Sequence, residues 1–216
     1  MRRKDMGYDL RHKALIDYLN KQGITNTNVL KAFSTVPRHL FVPTNLRDLA
    51  YDDTALPIGY GQTISQPSLI AYILQKLNLS FNDSVLEVGA GSGYLAALLS
   101  QLVQTVYAIE TIKDLANTSS QLLKALNFSN IYLKCRDGTN GWPEAVPFDA
   151  IIFSASTSII SPDIFNQLTN NGQLIAPIET KGNTVLKLYK RQNSVIISED
   201  LLPVKFVPLV SATTNR

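Results

Sequence analysis

Ser84-Val85-Leu86-Glu87-Val88-Gly89-Ala90-Gly91-Ser92-Gly93-Tyr94 is the stretch that decides the fold. A short apolar run, typical of a buried strand, passes directly into three alternate glycines and then into the apolar periodicity of a helix over Tyr94–Leu102. Glycines between a strand and a helix let the backbone approach a ligand closely, because no Cβ stands in the way. The spacing is not that of a dinucleotide fingerprint, whose third glycine lies three positions after the second. Here Tyr94 occupies that place and Gly93 comes one position early. Glu87, just ahead of the loop, adds a sign to the argument. A carboxylate there would repel a pyrophosphate, whereas S-adenosylmethionine carries no phosphate and presents an ammonium and a sulfonium, both cationic. The loop therefore reads as an S-adenosylmethionine site, with Gly89, Gly91 and Gly93 forming the cradle and Glu87 facing positive charge.

Outward from the loop, strands at Thr105–Ile109, Ile131–Cys135, Phe148–Phe153 and Gln173–Pro177 alternate with helices at Leu115–Leu126 and Pro162–Leu168. Alternation of this kind implies crossovers and a largely parallel sheet covered on both faces. Glu110 ends the second strand, a position from which a carboxylate can accept both ribose hydroxyls. Asp137-Gly138 ends the third, within reach of an adenine edge. Alone, Glu110 could be a solvated strand end and Asp137-Gly138 an ordinary turn. With the glycine loop they mark successive strand ends on the carboxyl edge of one sheet, where open α/β sheets bind ligands.

Past this core, Val185–Tyr189 and Val195–Ser198 flank a polar segment and read as an antiparallel hairpin that Phe206-Val207 would extend. Ahead of it, Leu10, Ala14, Leu15, Tyr18 and Leu19 precede Gly23 at helical spacing, and Val29, Leu30 and Phe33 suggest a second short helix. The expected architecture is α/β, a Rossmann-like S-adenosylmethionine-dependent methyltransferase sheet in a single domain, 1–216. It comprises a mainly helical N-terminal elaboration (1–80), a cofactor-binding core (81–180) and C-terminal strands with the antiparallel hairpin (181–216).

With 216 residues, of which 45% are hydrophobic, the chain has enough apolar material for one large core. A net charge of +3, with Arg2-Arg3-Lys4 as the one tight basic cluster, offers no stripe for nucleic acid. The single cysteine, Cys135, precludes an internal disulfide. With only His12 and His39 beside it, no Cys/His set could enclose a metal, so none is expected. No apolar run approaches the length of a membrane span, and a cytoplasmic monomer is expected. Cys135 reads as a small buried side chain and Trp142 as a packing anchor. Arg38-His39 is left open between an approach to substrate and a capping or surface role.

The segment Gly61-Gln62-Thr63-Ile64-Ser65-Gln66-Pro67 has a local reading first: a serine two residues before a proline suits a helix N-cap. Together with Val36-Pro37-Arg38, Phe41-Val42-Pro43, Leu86–Tyr94, Pro147-Phe148-Asp149-Ala150-Ile151 and Phe206-Val207-Pro208-Leu209, it resembles the recurrent motifs of protein-L-isoaspartate O-methyltransferases across nearly the whole chain. The resemblance implies transfer of methyl from S-adenosylmethionine to the carboxylate of isoaspartyl residues in damaged proteins and peptides, the ester then closing to a succinimide. It places Ser65 at the active site and Thr63 beside the methyl donor, and it agrees with the cofactor roles of Glu87, Glu110 and Asp137-Gly138. Cys135-Arg136 stands where the family pattern has another glycine, and Val210-Ser211 departs from it after Leu209. A carboxylate acceptor, ionised above a pKa of about 4, needs no general base, which suits a chain with two histidines. Phe206–Leu209 is the candidate wall for an extended peptide. A methyltransferase with another acceptor, or a module that holds S-adenosylmethionine without turnover, would keep Glu87, Gly89–Gly93 and Glu110. The other-acceptor enzyme would not call for Gly61–Pro67.

Overall fold

A computed structural model describes residues 3–210. Arg2 and Ser211 lie outside the described residues, as do the side chains of Arg3 and Lys4. In chain order the elements are α1 (Arg3–Lys21), α2 (Thr27–Thr35), β1 (Leu56–Gly59), β2 (Gln62–Ile64), α3 (Pro67–Leu77), β3 (Ser84–Val88), α4 (Tyr94–Leu99), β4 (Thr105–Glu110), α5 (Lys113–Ala125), β5 (Ile131–Cys135), β6 (Phe148–Phe153), α6 (Pro162–Asn166), β7 (Leu168–Thr180), β8 (Asn183–Gln192) and β9 (Val195–Pro203).

Strands β3 to β9 form one sheet in the order β5-β4-β3-β6-β7-β8-β9. The pairs up to β6-β7 are parallel, and β7-β8 and β8-β9 are antiparallel. The apolar runs seen in the sequence are the parallel strands, buried in β3 and β6 and partly exposed in the edge strand β5, and the chain turns from β8 into β9 at residues 193–194, the end of the polar segment of the expected hairpin. The order reverses at β3, since the chain leaves it toward β4 and β5 and returns on its other side as β6. Open α/β sheets bind ligands beyond the carboxyl ends of strands at such a switch point.

Side-chain alternation splits the apolar residues of the strands between two cores. Val85, Val106, Ala150 and Ile152 join Leu19, Phe33, Ile70, Leu74 and Leu98 on one face. Leu86, Val88, Ile151 and Phe153 join Trp142, Phe148 and Ile164 on the other. The N-terminal helices thus share a core with α4 and the sheet, and the face they cover is the one that Glu87 shares with Val85.

The mainly helical N-terminal region also carries an antiparallel hairpin, β1-β2, whose tip Gly59-Tyr60-Gly61 has positive φ at all three residues. Three expectations are corrected. Phe206-Val207 does not extend the C-terminal hairpin. After β9 ends at Pro203, the chain returns to the segment that follows β6, where Val207 O accepts from Ser156 N (2.8 Å) and Leu209 N donates to Ser156 O (2.7 Å). Prolines at 203 and 208 supply no amide hydrogen to prolong a ladder. Cys135 is exposed, because β5 is the outermost strand and the residue ends it. Arg38 is neither at the surface nor at a substrate path: it is fully buried, with Nε donating to Ala50 O (2.8 Å) and its guanidinium over the Tyr94 ring at 4.9 Å. Among the described residues, no helix is long and apolar enough to cross a membrane.

Candidate active site

The loop after β3 is held open by backbone geometry that side chains would oppose. Gly89 has φ +91° and Gly91 φ +53°. Gly89 N and Ala90 N both donate to Ile109 O at 2.9 Å, tying the loop to the end of β4. Glu110 completes the clamp, its Oε2 accepting from Gly91 N (2.7 Å) and its Oε1 from Ile112 N (2.8 Å). Two of the carboxylate's roughly four acceptor positions are thereby used, and the others remain for hydroxyl donors. Gly93 has a different task from the other two glycines. A Cβ there would lie 3.2 Å from Leu123 and Ser119, so the residue lets the end of the loop lie close against α5.

Glu87 is the electrostatic centre of the site. It is 1% exposed, one oxygen accepts from Ser154 Oγ (3.0 Å), and Oε2 has no hydrogen-bond partner among the described residues. Burial pushes its pKa up to about 8, the Ser154 hydrogen bond opposing the rise and Glu110 adding to it. An unanswered buried oxygen costs about 1–3 kcal/mol, more if charged, and an ammonium donor would remove that cost. The donor set therefore fits the cationic end of S-adenosylmethionine.

Two connected spaces meet here. A trough of about 470 Å³ is lined by Val88, Gly89, Gly91, Glu110, Thr111, Gly138, Ala155 and residues 207–210. A second space, about 480 Å³, is lined by Ser65, Glu87, Ser92, Tyr94, Ile152 and Phe206. Thr63, Gly89, Gly91 and Ser154 border both, so Thr63 stands at their junction. Gly138 floors the trough: a Cβ would meet Val88 Cγ1 at 2.6 Å and Ile109 Cγ2 at 3.3 Å. Gly138→Ala is expected to destabilise the fold by about 1–3 kcal/mol in urea unfolding and to weaken cofactor binding, since the neighbours it displaces end β3 and β4. Asp137 itself is not among the lining residues. Its Oδ1 accepts from Thr139 N (2.8 Å) and Thr139 Oγ1 (2.7 Å), which shapes the turn that presents Gly138.

Ser65 does not cap α3. The N-cap is Gln66, which makes no side-chain cap, and the N–H of Ser68 donates instead to Asp53 Oδ1 at 2.8 Å. Ser65 is half-buried on the second space, and no hydrogen bond from its hydroxyl is found among the described residues. Sequence reasoning had not singled out Ser154 or Asp53 as parts of this site, whereas Phe206, expected as part of a peptide wall, does line the second space. The signal available for Ser154 was its place as the first polar residue after the apolar β6.

The geometry has counterparts in known proteins. The model of the family described as Protein-L-isoaspartate(D-aspartate) O-methyltransferase (PCMT) matches residues 10–214. A protein-L-isoaspartate O-methyltransferase of Opitutus terrae is 45% identical over 193 residues, covering 89% of this chain and 83% of that one. One of Roseiflexus sp. is 43% identical over 205 residues, covering 95% and 94%. Among solved structures, a protein-L-isoaspartate O-methyltransferase superposes with TM-score 0.84 at 27% identity, over 91% of this chain and 65% of that one. A Plasmodium falciparum counterpart in complex with S-adenosyl-L-homocysteine gives TM-score 0.82 at 29% identity, over 92% and 98%.

Proposed function

Since the chain belongs to the protein-L-isoaspartate(D-aspartate) O-methyltransferase family, we propose that it transfers methyl from S-adenosylmethionine to the side-chain carboxylate of isoaspartyl residues in damaged proteins and peptides. The observation that carries this reading is the uncommitted Ser65 hydroxyl on the same space as the unpartnered oxygen of the buried Glu87. When bound, the cofactor supplies an electrophilic methyl group on a sulfonium.

The chain's own residues bind and align. Glu87 Oε2 would accept from the cofactor's ammonium, and Glu110 would accept ribose hydroxyls on the sites its two backbone donors leave open. Gly89 and Gly91 keep the loop low enough for close approach, and Gly138, presented by the turn that Asp137 shapes, would take the adenine end. Thr63 stands between cofactor and acceptor. Ser65 donates its hydroxyl to the acceptor carboxylate and turns one oxygen toward the methyl carbon. No residue need remove a proton, because the acceptor is already ionised at neutral pH. Alignment alone can lower the barrier by as much as about 7–11 kcal/mol, and exclusion of water strengthens each of these contacts. The methyl ester then leaves and closes to a succinimide without the enzyme, which starts repair of the damaged chain. We place the protein in the cytoplasm as a monomer acting on peptide rather than nucleic acid.

The test is transfer of labelled methyl from S-adenosylmethionine to a matched pair of peptides, one with isoaspartate and one with normal aspartate. Base-labile label on the isoaspartyl peptide alone is expected. Ser65→Ala should lower kcat roughly tenfold or more, the value of one hydrogen bond to a charged group, with cofactor affinity intact. Cofactor binding without label on either peptide would sink the repair reading.

A further inference from the structure

A serine that both begins a helix and serves a substrate faces a conflict. Its hydroxyl is well placed to answer the free N–H groups of the first turn, and answering them would direct it away from the acceptor. Ser65, two residues before Pro67, has the sequence setting of such a cap. In the folded chain the conflict is resolved from outside the helix. Asp53, fifteen residues upstream of Ser68, places Oδ1 against the Ser68 N–H at 2.8 Å. Its other oxygen accepts from Tyr18 Oη on α1 at 3.2 Å. The carboxylate is thus held at both ends, between two elements of the N-terminal layer. Gln66, the residue at the cap position, spends its side chain on Ser68 Oγ (3.0 Å) and not on the backbone.

We propose that Asp53 is a positioning residue for methyl transfer. By taking over the cap of α3, with Tyr18 steadying it, it keeps the Ser65 hydroxyl available to the acceptor carboxylate. The inference rests on the reading of Ser65 as the residue that meets the acceptor. It adds that Ser65 holds that role only while a carboxylate from outside the helix occupies the helix N-terminus. Removing Asp53 leaves the Ser68 N–H to the nearest competing acceptor on its own strand-to-helix connection, and Ser65 is the residue whose sequence position suits it.

A double-mutant cycle separates this from a purely structural cap, because residues that act through one another lose activity non-additively whereas independent ones multiply. Asp53→Ala is expected to lower kcat for the isoaspartyl peptide about fivefold, as loss of a cap coupled to misalignment would, with the KM for S-adenosylmethionine within about twofold of wild type. Asp53→Asn, which retains the Oδ1 acceptor, is expected to restore most of that kcat. The double variant Asp53→Ala/Ser65→Ala should be no slower than Ser65→Ala alone. Thermal unfolding of each variant identifies any that fails to fold, and Tyr18→Phe, which removes only the outer hydroxyl, should lower kcat in the same direction by less. Multiplicative losses in the cycle, or an unchanged kcat in Asp53→Ala, would overturn the proposal while leaving Ser65 in its role. A wild-type chain that does not methylate the isoaspartyl peptide would overturn the reading of Ser65 and this inference with it.

Discussion

Glu87→Gln is expected to weaken S-adenosylmethionine binding roughly 100-fold, the effect of replacing a buried charged acceptor for a cation by a neutral one. The same change should raise the melting temperature of the ligand-free protein. Both follow from one fact: Glu87 is buried and its Oε2 makes no hydrogen bond among the described residues. Its carboxyl is pushed up to about 8 from an ordinary value of 4.5, principally by burial. A group whose pKa rises on folding binds more protons folded than unfolded between those two values. Stability from this group is therefore fully present below about pH 4.5 and is lost as pH climbs toward 8. The stabilisation by glutamine should grow over that window and level off above it.

Binding has the opposite slope. A cationic ligand prefers the ionised carboxylate, so affinity in the wild type should rise with pH up to about 8, approaching tenfold per unit, as binding expels the proton. Calorimetric titration of the wild type and the glutamine variant between pH 6 and 9 measures both predictions, in the order-of-magnitude range that a titratable buried acid sets. Equal affinities and equal pH slopes in the two proteins would remove Glu87 from the site.

The second large effect lies away from the cleft. Arg38→Ala should cost roughly 3–5 kcal/mol of stability, the range for truncating a large buried side chain. Arg38 holds two carbonyls of the segment that leads to β1, Ala50 O at 2.8 Å and Thr54 O at 3.3 Å. Its guanidinium lies over the Tyr94 ring at the start of α4. Burial lowers its pKa, and Tyr94 and then Asp53 offset part of that cost. Arg38→Met keeps much of the volume and leaves the carbonyls unanswered, so about 1–3 kcal/mol is expected for it. Chemical denaturation distinguishes the two, and a loss below about 1 kcal/mol for alanine would show that the buried guanidinium is dispensable.

The two effects mark what a linear reading could reach. The apolar run Val85–Val88 feeding alternate glycines, Glu110 at the next strand end and the repeated strand-helix alternation carry their own physical reasons. A buried parallel strand must be apolar, a backbone near a ligand must lack Cβ, and carboxyl-edge acids must follow strands. Gly93 illustrates the limit. Its place in the loop was visible, but only the structure shows that a Cβ there would lie 3.2 Å from Leu123 and Ser119 of α5, a constraint from helix packing that the loop motif does not announce.

The strand-helix alternation, the largely parallel sheet and the acids at its carboxyl edge were legible in the chain, because they depend on local periodicity and on the order of elements, whereas the reversal of strand order at β3 was not. Only the tertiary structure decided which partner each polar group would find. It buried Arg38 under Tyr94, brought Asp53 to the N-terminus of α3 in place of Ser65, exposed Cys135 on the edge strand and folded Phe206–Leu209 back against the segment after β6. The physical reason is common to all four. Periodicity reports which side of an element faces inward, whereas a hydrogen bond, a cap or an edge is settled by distant segments competing for the same space and the same backbone groups.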